Sequence, residues 1–218
     1  NRDICDYIVE SFSDDFEEAA MMEPLAVALH AIKQSGLKEG DSFAVVGTGM
    51  IAFAAAQWAK RKGASSVTIF GRSETKRELA ERIGGVEYRI AVANAEEFDV
   101  VLEAVGAPVA IEQSIKYTKA GGTLVLMGNP SGNIEMKQDV YWRILRKQLK
   151  LIGTWNSSYE SNKDCDWAEV KEALENKQIQ AKTLISHTYT ADRLEDGLEL
   201  MRSHQEPYCK VMTVWGND

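Results

Sequence analysis

Ser42-Phe43-Ala44-Val45-Val46-Gly47-Thr48-Gly49-Met50-Ile51-Ala52, followed by the helical run to Lys62 and by Val67-Thr68-Ile69-Phe70, decides how this chain folds. Phe43 to Val46 is apolar without a break, too short for a helix and closed by Gly47, which predicts a strand buried on both faces. From Met50 the pattern changes. Ile51, Ala54, Ala55, Trp58 and Ala59 recur at helical spacing, and Lys60 to Gly63 supplies a basic last turn and a stop. Val67 to Phe70 then predicts a second strand, completing a strand–helix–strand unit.

Between the first strand and the helix, Gly47-Thr48-Gly49-Met50-Ile51-Ala52 reads G-x-G-x-x-A. Glycines alone are a weak sign; in a strand-to-helix turn they form the dinucleotide fingerprint. Gly47 permits the tight turn, Gly49 lets backbone approach a pyrophosphate, and Ala52 keeps helix and sheet close. The N–H groups of Thr48, Gly49, Met50 and Ile51 then face an anion. A Gly turn without a ligand is the plainer alternative. At the end of the second strand an NAD protein usually holds Asp or Glu for the adenosine ribose, whereas this chain has Gly71, then Arg72, Ser73, Lys76 and Arg77. A carboxylate would repel a 2′-phosphate, and a small residue followed by Arg and a hydroxyl would receive one, so the reading favours NADP over NAD. Against it, Arg72, Lys76 and Arg77 also suit the solvated start of the next helix.

The chain has 218 residues, 44% hydrophobic and 27% charged, ordinary for a soluble globular protein of one domain or one and a half. A net charge of −8 with no basic run argues against nucleic acid as a partner. Cys5, Cys165 and Cys209 are far apart and odd in number, which suits a reducing cytoplasm and neither a disulfide framework nor a thiolate zinc knot. No apolar stretch reaches membrane length. The chain opens on Asn, and we expect a piece of something longer.

Asn1 to Ala20 is acidic and irregular, with Ser13 and Asp14 suited to cap a short helical turn. Met22 to Ile32 predicts a helix with Pro24 in its first turn, Leu25, Ala28, Leu29 and Ile32 as its apolar stripe, and Gly36 as its end. Glu23 at its start is favoured by the helix dipole alone, and His30 suits a satisfied boundary position. Glu74 to Gly84 predicts a helix burying Leu79, Ala80 and Ile83. Tyr88 to Val92 and Phe98 to Val105 predict the third and fourth strands. With the third at the sheet edge and the fourth beyond the first, a link of about six residues reaches only about 20 Å, which forces an extended connection without a helix. Ala107 to Tyr117 and Val140 to Leu145 read as helices; Gly121 to Gly128 and Leu149 to Trp155 as strands. Gly106 and Gly128 fall at carboxyl ends of strands, where ligands bind; ordinary turn geometry accounts for them equally well. Asp166 to Glu175 and Ala191 to Ser203 read as helices, Leu184 to Tyr189 and Lys210 to Val214 as closing strands.

The blocks EEAAMMEPLAVALHAI, VVGTGMIAFAAAQWAK, LEAVGAP, GGTLVLMGNP, ILRKQLKLIGTWNSSY and DRLEDGLELMRSHQEPYCKVM together resemble the medium-chain zinc-dependent alcohol/polyol dehydrogenases. Within that family they are most similar to the branch holding galactitol-1-phosphate 5-dehydrogenase and sorbitol-dehydrogenase-like enzymes. The resemblance covers nearly the whole chain and implies an α/β fold with a Rossmann-type doubly wound parallel sheet, with remnants of a barrel-like (GroES-like) catalytic domain at both ends. It implies that residues 1–22 are the tail of that domain, 23–184 the dinucleotide-binding domain and 185–218 the return to the catalytic domain, most of which has no counterpart here.

The resemblance further implies hydride transfer between NAD(P) and a polyol, sugar alcohol or sugar-alcohol phosphate, a zinc ion in the whole enzyme, and a homodimer or homotetramer. It places Glu23 by the catalytic zinc, as a catalytic or metal-binding residue. It places Val105, Gly106, Met127 and Gly128 by the nicotinamide ribose and ring, and Thr154, Trp155 and Asn156 at the nicotinamide end. Trp58 and Trp155 are expected near the site. Two departures stand out: Ala52 for the usual third Gly, and Gly71 for the acid of NAD-dependent members. The rival readings are a non-catalytic nucleotide-binding or dimerisation module and an S-adenosylmethionine-dependent methyltransferase, which also wants an acid where Gly71 stands.

Overall fold

The computed structural model describes residues 15–92, 96–159 and 165–216. Six parallel strands form one sheet: β1 (Ser42–Val46), β2 (Ser66–Gly71), β3 (Glu87–Ile90), β4 (Phe98–Glu103), β5 (Thr118–Leu126) and β6 (Lys150–Gly153), in spatial order β3-β2-β1-β4-β5-β6. Order reverses between β1 and β4, which opens a crevice at the carboxyl ends of those strands. Both faces are covered, as the unbroken apolar run of β1 requires. Phe43 and Val45 join one core, while Ala44 and Val46 join the core on the other face with Ala110, Ile115 and Val140.

Helices α1 (Phe16–Ala20), α2 (Met22–Ser35), α3 (Met50–Arg61), α4 (Arg77–Ile83) and α7 (Asp166–Glu175) contribute to the first core. Helices α5 (Pro108–Tyr117) and α6 (Gln138–Lys147) pack on the opposite face. The chain closes with β7 (Ile185–Thr190), α8 (Leu194–Ser203) and β8 (Lys210–Val214), the two strands pairing in parallel as a sheet of their own.

α2 buries far more than the predicted stripe: Met22, Leu25, Ala26, Ala28, Leu29 and Ala31 are all covered, since it lies against both α3 and α7. Gly36 ends it in the left-handed region, φ 67°. Asp15 caps α1 through Glu18 N, 3.1 Å; the expected caps Ser13 and Asp14 lie outside the described residues, as does Cys5.

Several boundaries differ from the sequence reading, and three have a visible physical reason. β3 stops at Ile90, two residues early, because Ala91 N turns to the Gly71 carbonyl and Val92 is clasped by Tyr117, whose hydroxyl accepts from Val92 N at 3.0 Å and donates to its carbonyl at 2.6 Å. On the link to β4, residues 91–92 and 96–97 carry no helix; 93–95 lie outside the described residues. β5 starts at Thr118 because Gly121-Gly122 is an irregularity inside the strand, opposite the register shift between Phe98 and Val100, and Gly121 takes φ 74°. Glu74–Lys76 forms a 3-10 turn ahead of α4 in place of one long helix.

Candidate functional site

Gly47 and Gly49 are glycines for different reasons. Gly47 has φ 131°, and a Cβ there would lie 3.1 Å from the Ala104 carbonyl oxygen, so the turn itself demands glycine. Gly49 has φ −78° and ψ 172°, ordinary extended backbone, and a Cβ on it would meet nothing within 4 Å. Nothing in the described chain needs glycine at 49; open space lies before the backbone at the start of α3. That helix start has no side-chain cap and no acid in its first turn, leaving the orphan N–H groups of a helix N-terminus facing an anion's position.

Two cavities meet at this turn. The first, about 360 Å³, is lined by Glu23, Ile51, Val105, Met127, Gly128, Asn129, Thr154, Trp155 and Asn156 among others. The second, about 670 Å³, is lined by Thr48, Gly49, Arg72, Ser73, Lys76 and Tyr88, with the 204–209 segment opposite. Most of the sequence-predicted residues thus divide into two groups on either side of one turn, while Gly47, Gly71 and Gly106 line neither cavity. Met50 stands apart, its side chain buried in the core, and only its backbone is at the helix start. Trp58 is also displaced from expectation: it is fully buried, donating its indole N–H to the Leu25 carbonyl at 3.0 Å, and lines neither cavity. Trp155, 70% exposed, is the reporter at the site.

Thr154 lines the first cavity, and its hydroxyl oxygen is buried without a hydrogen-bond partner among the described residues, an unusual state for an interior polar atom. Close packing accounts for the lack of a side chain at Gly106 and Gly128: a Cβ on Gly128 would fall 2.0 Å from Gly106 N, and one on Gly106, at φ 80°, 2.6 Å from the Asn129 carbonyl. Gly128 also borders the first cavity, and Gly106 a neighbouring one. The Val105–Gly106 turn is held by Glu103, which sequence reasoning missed. It is 1% exposed, and its Oε1 accepts from Val105 N and Gly106 N, both at 2.8 Å. An acid closing an otherwise apolar strand, just before Ala-Val-Gly, was the available signal.

In the second cavity Arg72 is exposed and makes no ion pair among the described residues. Ser73 is exposed and its hydroxyl meets that of Thr75. Lys76 donates to the Thr48 carbonyl at 2.7 Å, and burial lowers its pKa from the usual lysine value. Arg77, read as a phosphate candidate, is committed elsewhere: it pairs with Glu74 and donates to the Tyr88 carbonyl at 2.8 Å.

Glu23 is exposed at the start of α2, on the first cavity, with no hydrogen-bond or ion-pair partner among the described residues. His30, as expected, is satisfied, its Nδ1 lying 2.8 Å from Asp166. Among the described residues no group of three His, Cys, Asp or Glu side chains converges to hold a metal. One carboxylate does not make a zinc site, so zinc does not fit these residues by themselves. A dinucleotide does fit, on the open Gly49 cradle and the orphaned Thr154 hydroxyl.

The family model described as "Zinc-binding dehydrogenase" matches residues 50–176, more than half of the chain. L-threonine 3-dehydrogenase of Bacillus licheniformis is 31% identical over 201 residues, 86% of this chain and 55% of its own length. The crystal structure of galactitol-1-phosphate dehydrogenase from Escherichia coli superposes with a TM-score of 0.81 at 24% identity, over 90% of this chain and 60% of that one. A zinc-binding dehydrogenase from Sinorhizobium meliloti 1021, bound to NADP, gives 0.76 at 26% identity, over 90% and 59%. The chain spans about half the length of the curated relatives it matches. Among the described residues no helix is long and apolar enough to cross a membrane.

Proposed function

The chain belongs to the zinc-binding dehydrogenase family, and on that premise we propose that it is the dinucleotide-binding part of an oxidoreductase acting on a polyol, sugar alcohol or sugar-alcohol phosphate. The observation that carries the reading is Gly49, a glycine that its own chain does not require, at an uncapped helix start. A pyrophosphate accepted there by the amides from Thr48 to Ile51 needs that open space.

The two cavities support the two ends of an NADP molecule. Arg72, with Ser73 beside it, offers an unpaired guanidinium to a 2′-phosphate, and Lys76 adds positive charge at the Thr48 carbonyl. Opposite, Val105, Met127 and Thr154 form a mostly apolar slot for the nicotinamide, with the idle Thr154 hydroxyl as a donor for its carboxamide. Bound there, a nicotinamide dinucleotide supplies a hydride acceptor or donor. The chain's own residues hold it, shield the ring from water on the Met127 side, and leave the Glu23 side open to a substrate. Zinc belongs to the whole enzyme in this reading, with Glu23 near it.

Residues 1–22 and 185–218 are assigned to the catalytic domain, in keeping with the separate β7–β8 sheet. Tyr141, Trp142 and Leu145 on α6 and Leu151 on the edge strand β6 are each exposed, which supports self-association as a homodimer or homotetramer. The free thiols of Cys165 and Cys209 suit a reducing cytoplasm. The second reading, a nucleotide-binding module without catalysis, is favoured by the lack of a converging metal-ligand set among the described residues. Titrating NADPH, NADH and S-adenosylmethionine while following Trp155 emission tests the proposal. NADPH should bind tightest; binding of S-adenosylmethionine alone, or of none, overturns it. Hydride transfer from bound NADPH to a sugar ketone, by the chain joined to its missing portion, separates enzyme from module.

A further inference from the structure

We propose that Tyr88 is a specificity-determining residue, whose phenol fills the volume that any side chain on residue 71 would need and so bars the ribose-binding carboxylate of an NAD site. The inference rests on the dinucleotide reading above and deepens it. Gly71 closes β2 with no positive φ, so its backbone would accept any residue. What forbids one is its neighbour: a Cβ on Gly71 would fall 2.0 Å from Tyr88 Oη and 2.6 Å from Tyr88 Cζ, with Thr48 Cγ2 at 3.0 Å. β2 and β3 run parallel with Gly71 opposite Ile90 and Ile69 opposite Tyr88, so the ring lies along the sheet toward the crevice.

The ring has little freedom to retreat. It is 5% exposed, its hydroxyl donates to the Ser73 carbonyl at 2.7 Å, and the Arg77 guanidinium stands 5.3 Å from its centroid while bonding the Tyr88 carbonyl. Glu74 holds Arg77 from the other side. The same hydroxyl therefore does two things. It excludes an acid at 71, and it fixes the turn that presents Arg72 and Ser73 to the second cavity. Preference for a 2′-phosphate comes in this account from a filled space as well as from the nearby cation.

Dinucleotide affinities and thermal midpoints of wild type, Gly71→Asp, Tyr88→Phe, Tyr88→Val and Gly71→Asp/Tyr88→Val test it. Gly71→Asp should melt lower and lose NADPH without gaining NADH. Adding Tyr88→Val should restore the midpoint and raise NADH affinity by about 10- to 100-fold over Gly71→Asp, the worth of a charged hydrogen bond to the ribose. Tyr88→Phe should weaken NADPH more than NADH, because the Ser73 carbonyl loses its anchor. Gly71→Ala, alone and with Tyr88→Val, repeats the midpoint comparison without nucleotide or added charge, for the event that Gly71→Asp does not fold. Gain of NADH by Gly71→Asp alone, or no rescue of either residue-71 variant by Tyr88→Val, overturns the role of Tyr88. A wild-type chain that binds neither dinucleotide overturns the parent reading and this one with it, whereas wild-type binding with an unrescued pair overturns Tyr88 alone.

Discussion

The two ends of α2 use polar groups in opposite ways. Near its carboxyl end, His30 and Lys33 reach Asp166 at 2.8 and 3.0 Å, and Lys33 also reaches Glu169 at 2.9 Å. Asp166 is 1% exposed and accepts further bonds from Ser158 N and Oγ. Burial pushes its pKa up, but the Ser158 donors, the Lys33 ammonium and the His30 hydrogen bond outweigh it and hold the carboxyl below its usual value. At the amino end Glu23 lines the first cavity with no partner among the described residues, as does Thr154, whose hydroxyl is likewise unpaired among them. Saturated polar groups lock α2 to α7, whereas those at its amino end are left unpaired among the described residues. Glycines divide the same way, with Gly106 and Gly128 packed against each other and Gly49 against nothing.

The contrast can be broken most decisively at its structural end. Asp166→Ala removes the buried acceptor shared by His30, Lys33 and Ser158 and should cost about 2–3 kcal/mol in urea unfolding while leaving NADPH affinity unchanged in the molecules that remain folded; a loss of affinity with full stability would reverse the assignment. Gly49→Val should do the opposite, lowering NADPH affinity at least tenfold, about 1.4 kcal/mol, with an unaltered melting midpoint. A fall in the midpoint would mean that residue 49 serves the fold. Thr154→Val should raise stability by about 1 kcal/mol, since it removes an unpaired buried hydroxyl, and weaken nicotinamide binding; destabilisation would show that the hydroxyl has a structural partner.

The smallest effect belongs to Asp99, a saturated acid at the amino end of the sheet. Burial raises its pKa, but Ser42 Oγ and N and the Lys119 ammonium more than offset this and bring it down to about 2. Folded below unfolded, this pKa contributes stability that is complete above the ordinary carboxylate range and lost as pH falls toward 2. The side chain is 39% exposed, so screening keeps the contribution under about 1 kcal/mol. Asp99→Asn should flatten that part of the acid unfolding curve and leave neutral stability slightly lower; an unchanged acid limb would remove Asp99 from the set of saturated acids.

What could be read from sequence was what repeats locally. The β1–turn–α3–β2 unit declared itself through changes of period, and α7 and β8 appear with the predicted bounds because their ends carry clear breaks. What could not be read depends on residues brought together by the fold. Gly121-Gly122 looked like a strand's start because a bulge needs a partner strand to be recognised. Trp58 seemed close to the site because nine positions along a helix are near in sequence but two turns and more away in space. Glu103 and Tyr88 act on backbone that only the sheet brings to them, and neither leaves a periodic trace.

The Lys76 ammonium reaches across to the Thr48 carbonyl, so the loop after β2 is stapled to the loop after β1. A chimera that imports the 71–77 segment of an NAD-using relative must import 47–52 as well, or the staple will misplace both halves of the seat. Evolution of this crevice toward another nucleotide is accordingly expected to proceed by paired replacement of the two segments, not by drift at one.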